Sequence, residues 1–368
     1  MTRFVALFCL LAVPSVLLGQ AEGLKRTALT SYADHVHERY SAALKEGEAL
    51  RTTVADFVAV PSEMGLAAAR EAWIAARLPY LETEVFRFYS GPIDDVDGPE
   101  GLLNAWPIDE AYVDSVEGDP DAGIINHPEE FPEITPKLLF DLNELEGEAN
   151  VSTGYHAIEF LLWGQDHFAD SSGRRPASDF TSAPNADRRC DYLVAATDLL
   201  VTNLESLAAD WAPGSATNYR WAFLAGETDQ ALKNVITGMS MLCGFEMASE
   251  RLLVAYDTQA QEDEHSCFSD TTHLDVLHNL QGVSSVWRII APVAREADPA
   301  LADRLDAQIT RVVELARAIP APFDQAILGD DETPGRKSIL ALVEALEDQA
   351  DLFVELSRAL GFVVPISE

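Results

Sequence analysis

The chain has 368 residues, 48% of them hydrophobic, which is long enough for one or two ordinary cores and too apolar for wholesale disorder. Its formal charge of −36, from 61 Asp and Glu against 25 Lys and Arg, excludes nucleic acid as a natural partner, because phosphate backbones are held by clustered cations. Such a surface gathers cations, but the same bias occurs in proteins adapted to high salt, so bulk charge alone is weak evidence for metal chemistry.

Residues 1–21 read as a secretory signal: Arg3 is the positive end, Phe4 to Leu18 the apolar segment, and Gly19-Gln20-Ala21 a small-x-small cleavage site. The mature chain is expected to begin at Glu22, in the periplasm or outside the cell. No later apolar run approaches membrane-spanning length, so no transmembrane helix is expected in the mature chain, and Cys9 falls too early for lipid attachment. Cys190, Cys243 and Cys267 then permit one disulfide at most, with one thiol over.

From Leu24 to about Val60, Leu29, Tyr32, Val36, Tyr40, Ala43 and Leu44 recur at three- and four-residue steps, which predicts an amphipathic helix. A second helix is expected from Ser62, its cap, to Phe88, kinked or restarted at Pro79. Trp73, Arg77, Tyr80, Glu84 and Phe88 follow one face of it, with an internal salt bridge as the plain alternative to a site. Residues 90–136 carry Gly91-Pro92, Asp97-Gly98-Pro99, Trp106-Pro107, Gly118-Asp119-Pro120, His127-Pro128 and Phe131-Pro132, turn signals too dense for long helices. Apolar Leu102, Leu103, Trp106, Ile108, Ile124 and Ile125 favour an ordered loop, with Asp94 and Asp109 available to point inward.

In Gly154-Tyr155-His156-Ala157-Ile158-Glu159-Phe160-Leu161-Leu162-Trp163-Gly164, one histidine and one carboxylate interrupt an apolar run. Three residues apart on a helix, they share a face, and the helix has almost no polar stripe to turn to water. A buried carboxylate requires a cationic partner, a metal, or a proton. A cap at Ser152 or Thr153 puts His156 in the first turn, where the helix dipole favours the neutral, metal-ready imidazole. His-x-x-Glu also occurs at His35–Glu38 and His127–Glu130, but in a polar helix and a proline loop.

Asp166 to Arg189 is polar and reads as an exposed connection and domain junction. Helices follow at Cys190 to Trp211, at about Glu227 to Tyr256, with Gly238 and Gly244 marking close helix contact, at Thr272 to Ala297, at Asp298-Pro299 to Ile319, and at Gly335 to Leu360. Met239, Met241 and Met247 read as core fillers. The fold class is therefore all-α.

The Gly-x-His-x-x-Glu stretch resembles the signature of the imelysin-like family, named after an insulin-cleaving membrane protease. Trp73-x3-Arg77-x2-Tyr80 with Thr83-Glu84, Gly91-Pro92-Ile93-Asp94, Asn104-Ala105-Trp106-Pro107 and Glu264-His265-Ser266-Cys267-Phe268-Ser269-Asp270-Thr271-Thr272-His273 look like further landmarks of that family. The resemblance implies two helical-bundle domains, here 22–180 and 181–368, around a central groove. It also implies a metal site at His156 and Glu159, with Glu84 and Asp94 as companions and Arg77, Tyr80, Glu82, Asp109, Asp270 and His273 as further cleft candidates.

Two functions are open on that basis. One is an exported metal-binding protein in iron acquisition, taking a divalent or ferric ion, iron before zinc, or a metal chelate, with a membrane transport partner; mixed oxygen and nitrogen ligands suit those metals. The other is a zinc peptidase, which requires three protein ligands, a water position and a carboxylate base, although no His-Glu-x-x-His helix is present. Mass spectrometry of the exported protein is expected to find an unlipidated N-terminus near Glu22; retention of residues 1–21 would overturn the signal assignment.

Overall fold

The structure, a computed structural model, describes residues 12–363, with side chains from Gln20 onward. Residues 1–11 of the expected signal lie outside the described residues. Among the described residues there are helices and turns and no strand, and no helix is long and apolar enough to cross a membrane.

Helix α1 (Ala12–Ala59) buries Leu29, Tyr32, Val36, Tyr40, Ala43, Leu50, Val54 and Phe57 along one stripe, as the three-and-four spacing requires. Helix α2 (Glu63–Leu81) follows, its cap Ser62 accepting from Gly65 N at 3.2 Å. It ends at Leu81 rather than running to Phe88. Pro79 has no amide hydrogen to continue the ladder, and Thr83 closes the chain into a tight turn by donating from N and Oγ1 to Tyr80 O. A short 3₁₀ turn, Glu84–Phe86, then carries Glu84.

The turn-rich region is ordered, with only the short helices α3 (Glu100–Leu103), α4 (Glu110–Val113) and α5 (Pro136–Leu142). The buried His-x-x-Glu helix is α6 (Gly154–Trp163), and α7 (Ala186–Asp210) lies beyond the polar stretch. After α8 (Tyr219–Ala225) and α9 (Thr228–Met241), the chain widens into a π-helical segment, Leu242–Leu253, and finishes that run as α10 (Val254–Thr258). Wide turns of this kind are rare and gather at functional sites. Helices α11 (Thr272–Ala297), α12 (Pro299–Arg317), α13 (Phe323–Ile327) and α14 (Pro334–Ala359) complete the chain.

Two groups of helices pack together: α1, α2, α6 and α7 in one, and α9, the π segment, α11, α12 and α14 in the other. They meet where α1 and α2 lie against α11, and the buried apolar residues of both join in one cluster. The boundary expected at 180–181 cuts through the first group, because α7 packs on α1, α5 and α6. Nor is 166–189 an exposed connection: Gly173, Arg175, Ala177 and Phe180 are buried, and Gly173 N donates to Phe268 O at 3.0 Å. Two of its arginines turn inside, Arg175 and Arg189 both holding the buried carboxylate of Asp114. Cys190, Cys243 and Cys267 are unpaired.

Two glycines fix how closely the second group approaches the turn that carries Glu84. A Cβ at Gly238 would stand 2.4 Å from Val85 O, and one at Gly282 would stand 2.5 Å from Glu82 O, both backbone atoms that cannot yield cheaply. Gly238→Ala and Gly282→Ala are each expected to lower stability by about 1–3 kcal/mol in urea titrations. Gly23→Ala, which meets nothing within 4 Å, is expected to be neutral or stabilising.

Candidate functional site

Every residue of α6 is buried. Gly154 begins it at φ +84, where a Cβ would come within 2.6 Å of Leu103 O, so glycine is needed for the entry turn. Thr153 occupies the cap position without a capping bond, its hydroxyl donating to Leu102 O at 3.4 Å, and the Ser152 hydroxyl donates to Leu139 O at 2.6 Å. The helix is pinned to α2 by Trp73 Nε1 donating to Tyr155 O at 3.0 Å and by Tyr155 OH donating to Ala76 O at 3.1 Å.

His156 Nδ1 lies 3.1 Å from Glu159 Oε2, and its Nε2 faces Arg77 Nη2 at 3.3 Å. A guanidinium can only donate, so Nε2 is the acceptor and the imidazole proton belongs on Nδ1, toward Glu159. The other oxygen of Glu159 accepts from Ser269 N at 2.9 Å and Ser269 Oγ at 2.6 Å. Arg77 Nη2 also lies 3.3 Å from both His265 Nδ1 and Asp275 Oδ2, while its Nη1 donates to Asn104 Oδ1 at 2.5 Å. His265 Nδ1 is 2.7 Å from Asp275 Oδ2, which also accepts from Ser266 Oγ at 2.6 Å. The centre is thus two imidazoles, 4.8 Å between ring centroids, with one guanidinium between them and a carboxylate on each flank.

Burial and the nearby Arg77 charge hold His156 well below its ordinary range, and burial with Arg251 and Arg77 does the same to His265. Both rings are neutral at physiological pH. Burial pushes Glu159 up to about 8, against the donors of Ser269 and the charge of Arg77. Glu84 shows the opposite balance: fully buried, it is held at about 2 because Arg87 at 2.9 Å and Arg251 at 2.7 Å outweigh the burial.

A cavity of about 460 Å³ reaches this centre, lined by Asn104, Trp106, Arg251 and His265, with Glu100, Glu144, Glu148, Glu246 and Glu250 in its walls. Arg77 sits beneath the wall, where Asn104 links it toward Glu84 and His156 links it toward Glu159. The expected set of three carboxylates and one histidine is not assembled. Among the described residues the one group of three or more His, Cys, Asp or Glu side chains with ligand atoms within 4.8 Å of one another is Asp166, Asp270 and Asp324. Glu84 is taken up by its two arginines, and Asp94 accepts from the backbone amides of Phe88 and Gly91 to close its own loop.

Of the other cleft candidates, Tyr80 is buried against the Tyr155 ring with no partner for its hydroxyl, close enough to Glu84 to feel its charge. Glu82 faces away, paired with Arg39 at 2.9 Å and His278 at 3.2 Å. Asp109 does not point inward; it is exposed and caps α4 through Ala111 N. His273 stands half-buried on the first turn of α11. The residues that do complete the centre, His265, Asp275, Asn104, Ser269 and Arg251, were not among the expected site residues. His265 had a signal: it sits beside the apolar Cys267-Phe268, which draws that loop inward.

An all-helical protein with a neutral histidine pair and buried carboxylates at the end of an acidic cavity is the class that fold and site define. The imelysin family model (peptidase M75) matches residues 36–353, and the chain belongs to that family. It is 26% identical over 282 residues to iron-regulated protein A of Synechococcus elongatus, covering 72% of this chain and 67% of that one. The crystal structure of an imelysin-like protein from Psychrobacter arcticum 273-4 superposes with TM-score 0.70 at 16% identity, over 94% of this chain and 98% of the other. A candidate iron-regulated protein A precursor from Parabacteroides distasonis ATCC 8503 superposes with TM-score 0.72 at 18% identity, over 92% and 95%.

The raised Glu159 pKa has a signed consequence. The folded state keeps this carboxyl's proton to about 8 while the unfolded chain releases it near 4.5, so metal-free stability falls as pH rises through that window. Glu159→Gln removes the term. The melting temperature of the variant relative to the parent is therefore expected to rise steadily from pH 5 to pH 8; a constant difference would mean Glu159 is ionised throughout. His156 and His265 act in the other sense, their contribution being lost as pH falls below 6.5.

Proposed function

We propose that this is an exported iron-binding protein of the imelysin family, which takes a divalent or ferric ion at His156 and Glu159. The observation that carries the reading is the buried pair itself. Nδ1 and Oε2 are 3.1 Å apart, the spacing of two adjacent ligands about 2.1 Å from one ion, which would take the place of the Nδ1 proton and require Arg77 to release Nε2, and Ser269 fixes the second oxygen of Glu159 as an outer partner would. Around the same centre, Asp275 Oδ1 and Glu84 Oε1 are buried acceptors with no protein donor, but neither stands within 4.8 Å of both His156 and Glu159, so a third oxygen ligand would come by a side-chain shift or from water.

The acidic cavity supports the reading in a second way. Five glutamates in its walls raise the local concentration of cations and repel anions, while a neutral His265 rather than an imidazolium stands at its inner end. Iron rather than zinc is favoured by the iron-regulated relative. Delivery of the ion to a membrane transport partner is the step that export would serve.

Calorimetric titration of untagged protein with ferrous, ferric and zinc ions tests this. His156→Ala is expected to weaken iron binding by about tenfold or more. His35→Ala and His127→Ala, each in its own His-x-x-Glu but half-buried and exposed respectively, are expected to leave it unchanged. Equal behaviour of the three variants would overturn the site. Zinc affinity above iron affinity, together with peptide hydrolysis by the same preparation, would replace the binding reading by the peptidase one.

A further inference from the structure

Away from the His156 centre, three separate stretches of chain bring four carboxylates together. Asp166 comes from the segment after α6, Glu264 and Asp270 from the loop before α11, and Asp324 from the first turn of α13. Single oxygens of Asp166, Asp270 and Asp324 lie within 4.8 Å of one another. Glu264, fully buried, is outside that limit but borders the group, Asp324 and Asp270 being the charges that act on it most strongly.

What separates this group from an ordinary acidic surface is that it is inside and unpaired. Glu264 is 0% exposed, Asp324 2% and Asp270 8%, and only Asp166 reaches toward solvent. Both oxygens of Glu264, both of Asp324, Oδ1 of Asp270 and Oδ2 of Asp166 meet no hydrogen-bond donor of the protein. Elsewhere the fold answers a buried carboxylate with arginine, as at Asp114 and Glu84, but no Lys or Arg of the described residues pairs with these four. Burial and mutual repulsion raise all four carboxyls above their ordinary range, so without a cation they must hold protons.

We propose that Asp166, Glu264, Asp270 and Asp324 form a second metal site, distinct from the His156 centre, that takes a hard divalent cation of the calcium type. The donors are oxygen alone, with no imidazole or thiolate, which suits calcium, magnesium or manganese and not a soft metal. Oxygens about 2.4 Å from one ion are at most about 4.8 Å apart, the limit that the three aspartates satisfy. Ligands supplied by three irregular segments match the loose six-to-eight-fold shell of calcium better than the strict octahedron of magnesium, and Asp166 at the rim leaves room for water.

The site would tie down a functional loop. Gly173 N already donates to Phe268 O at 3.0 Å, and Gln325 Nε2 donates to Ala169 O, so the three segments are in register before an ion arrives. The loop from Glu264 to Asp270 also carries His265, at the end of the cavity, and Ser269, which holds Glu159. A cation clamping Glu264 and Asp270 therefore fixes both ends of the segment that builds the other centre. The occupancy of the second site does not require that the first bind iron.

Titration of the full mature chain with calcium chloride after chelator treatment tests the proposal, read by calorimetry and by melting temperature. The His156→Ala protein serves as background, so that failure of the His156 centre cannot mimic failure here. Saturable calcium binding is expected, with a dissociation constant below about 1 mM and a rise in melting temperature. Asp324→Asn is expected to weaken it by about tenfold or more, and Asp166→Asn, at the half-exposed rim where folding is not at risk, to weaken it measurably. Absence of saturable binding of calcium, magnesium and manganese at millimolar concentration would overturn the proposal and leave a cluster that shares protons. Calcium binding that survives both substitutions would overturn it as well, since the ion would then sit elsewhere.

Discussion

The arrangement depends on one buried cation, the guanidinium of Arg77. It is 1% exposed, flanked by the faces of Tyr155 and Trp73 at 5.1 and 5.8 Å, and it touches α2's partners on every side: Asn104 from the turn-rich region, His156 from α6, His265 from the loop before α11 and Asp275 from α11 itself. Burying a charge of this kind costs several kcal/mol unless it is paired and hydrogen-bonded. The compensation comes from groups that belong to both helix groups, so the seam between them closes only when Arg77 is in place. Burial lowers both imidazoles most, and that same charge adds to it, so a cation helps to keep the histidines neutral.

The rest of the charge distribution follows a similar economy. Arg77, Arg175, Arg189, Arg220, Arg251 and Arg336 are all buried, each of them against carboxylates or backbone carbonyls. Glu84, Asp114, Glu159, Glu264, Asp270, Asp275 and Asp324 are buried as well, so the interior holds charges of both signs and the acidic excess of the composition stays at the surface. Interior arginine and exterior carboxylate together make a body that repels anions and a cavity that admits cations.

Much of this was legible in the sequence, for identifiable reasons. Helices with long three-and-four periodicity and clear end signals were placed almost to the residue: Thr272–Ala297 matches in full, and Asp298 caps α12 by accepting from Ala300 N and Leu301 N. The burial of His156 and Glu159 followed from the apolar run around them, and Gly238 was read correctly as a point of close approach. What was not legible depended on tertiary partners. The polarity of 166–189 suggested solvent, but Arg175 and Arg189 turn inward to Asp114, a residue 75 positions from Arg189 that no local pattern connects to it. Glu84 and Asp94 were expected as ligands from the family resemblance, yet which carboxylate meets an arginine, a backbone amide or nothing is decided by folding. The π-helical widening after Met241 likewise has no period that a helical pattern would separate from α-helix.

The contrast between the two acidic centres shows why residue type alone could not assign metal. At Glu84 the fold supplies two guanidinium groups within 3 Å, both on Oε2, and the carboxylate is ionised with its charge compensated. At Glu264 and Asp324 it supplies none, although both are as deeply buried. Four unpaired carboxyls that share a pocket cannot all ionise, so each must keep a proton or receive a positive ion from outside. An arginine could have been placed there, as it was at Asp114. Its absence from a group assembled from three parts of the chain, beside the loop that orients His265 and Glu159, is what makes an external cation the natural counter-charge.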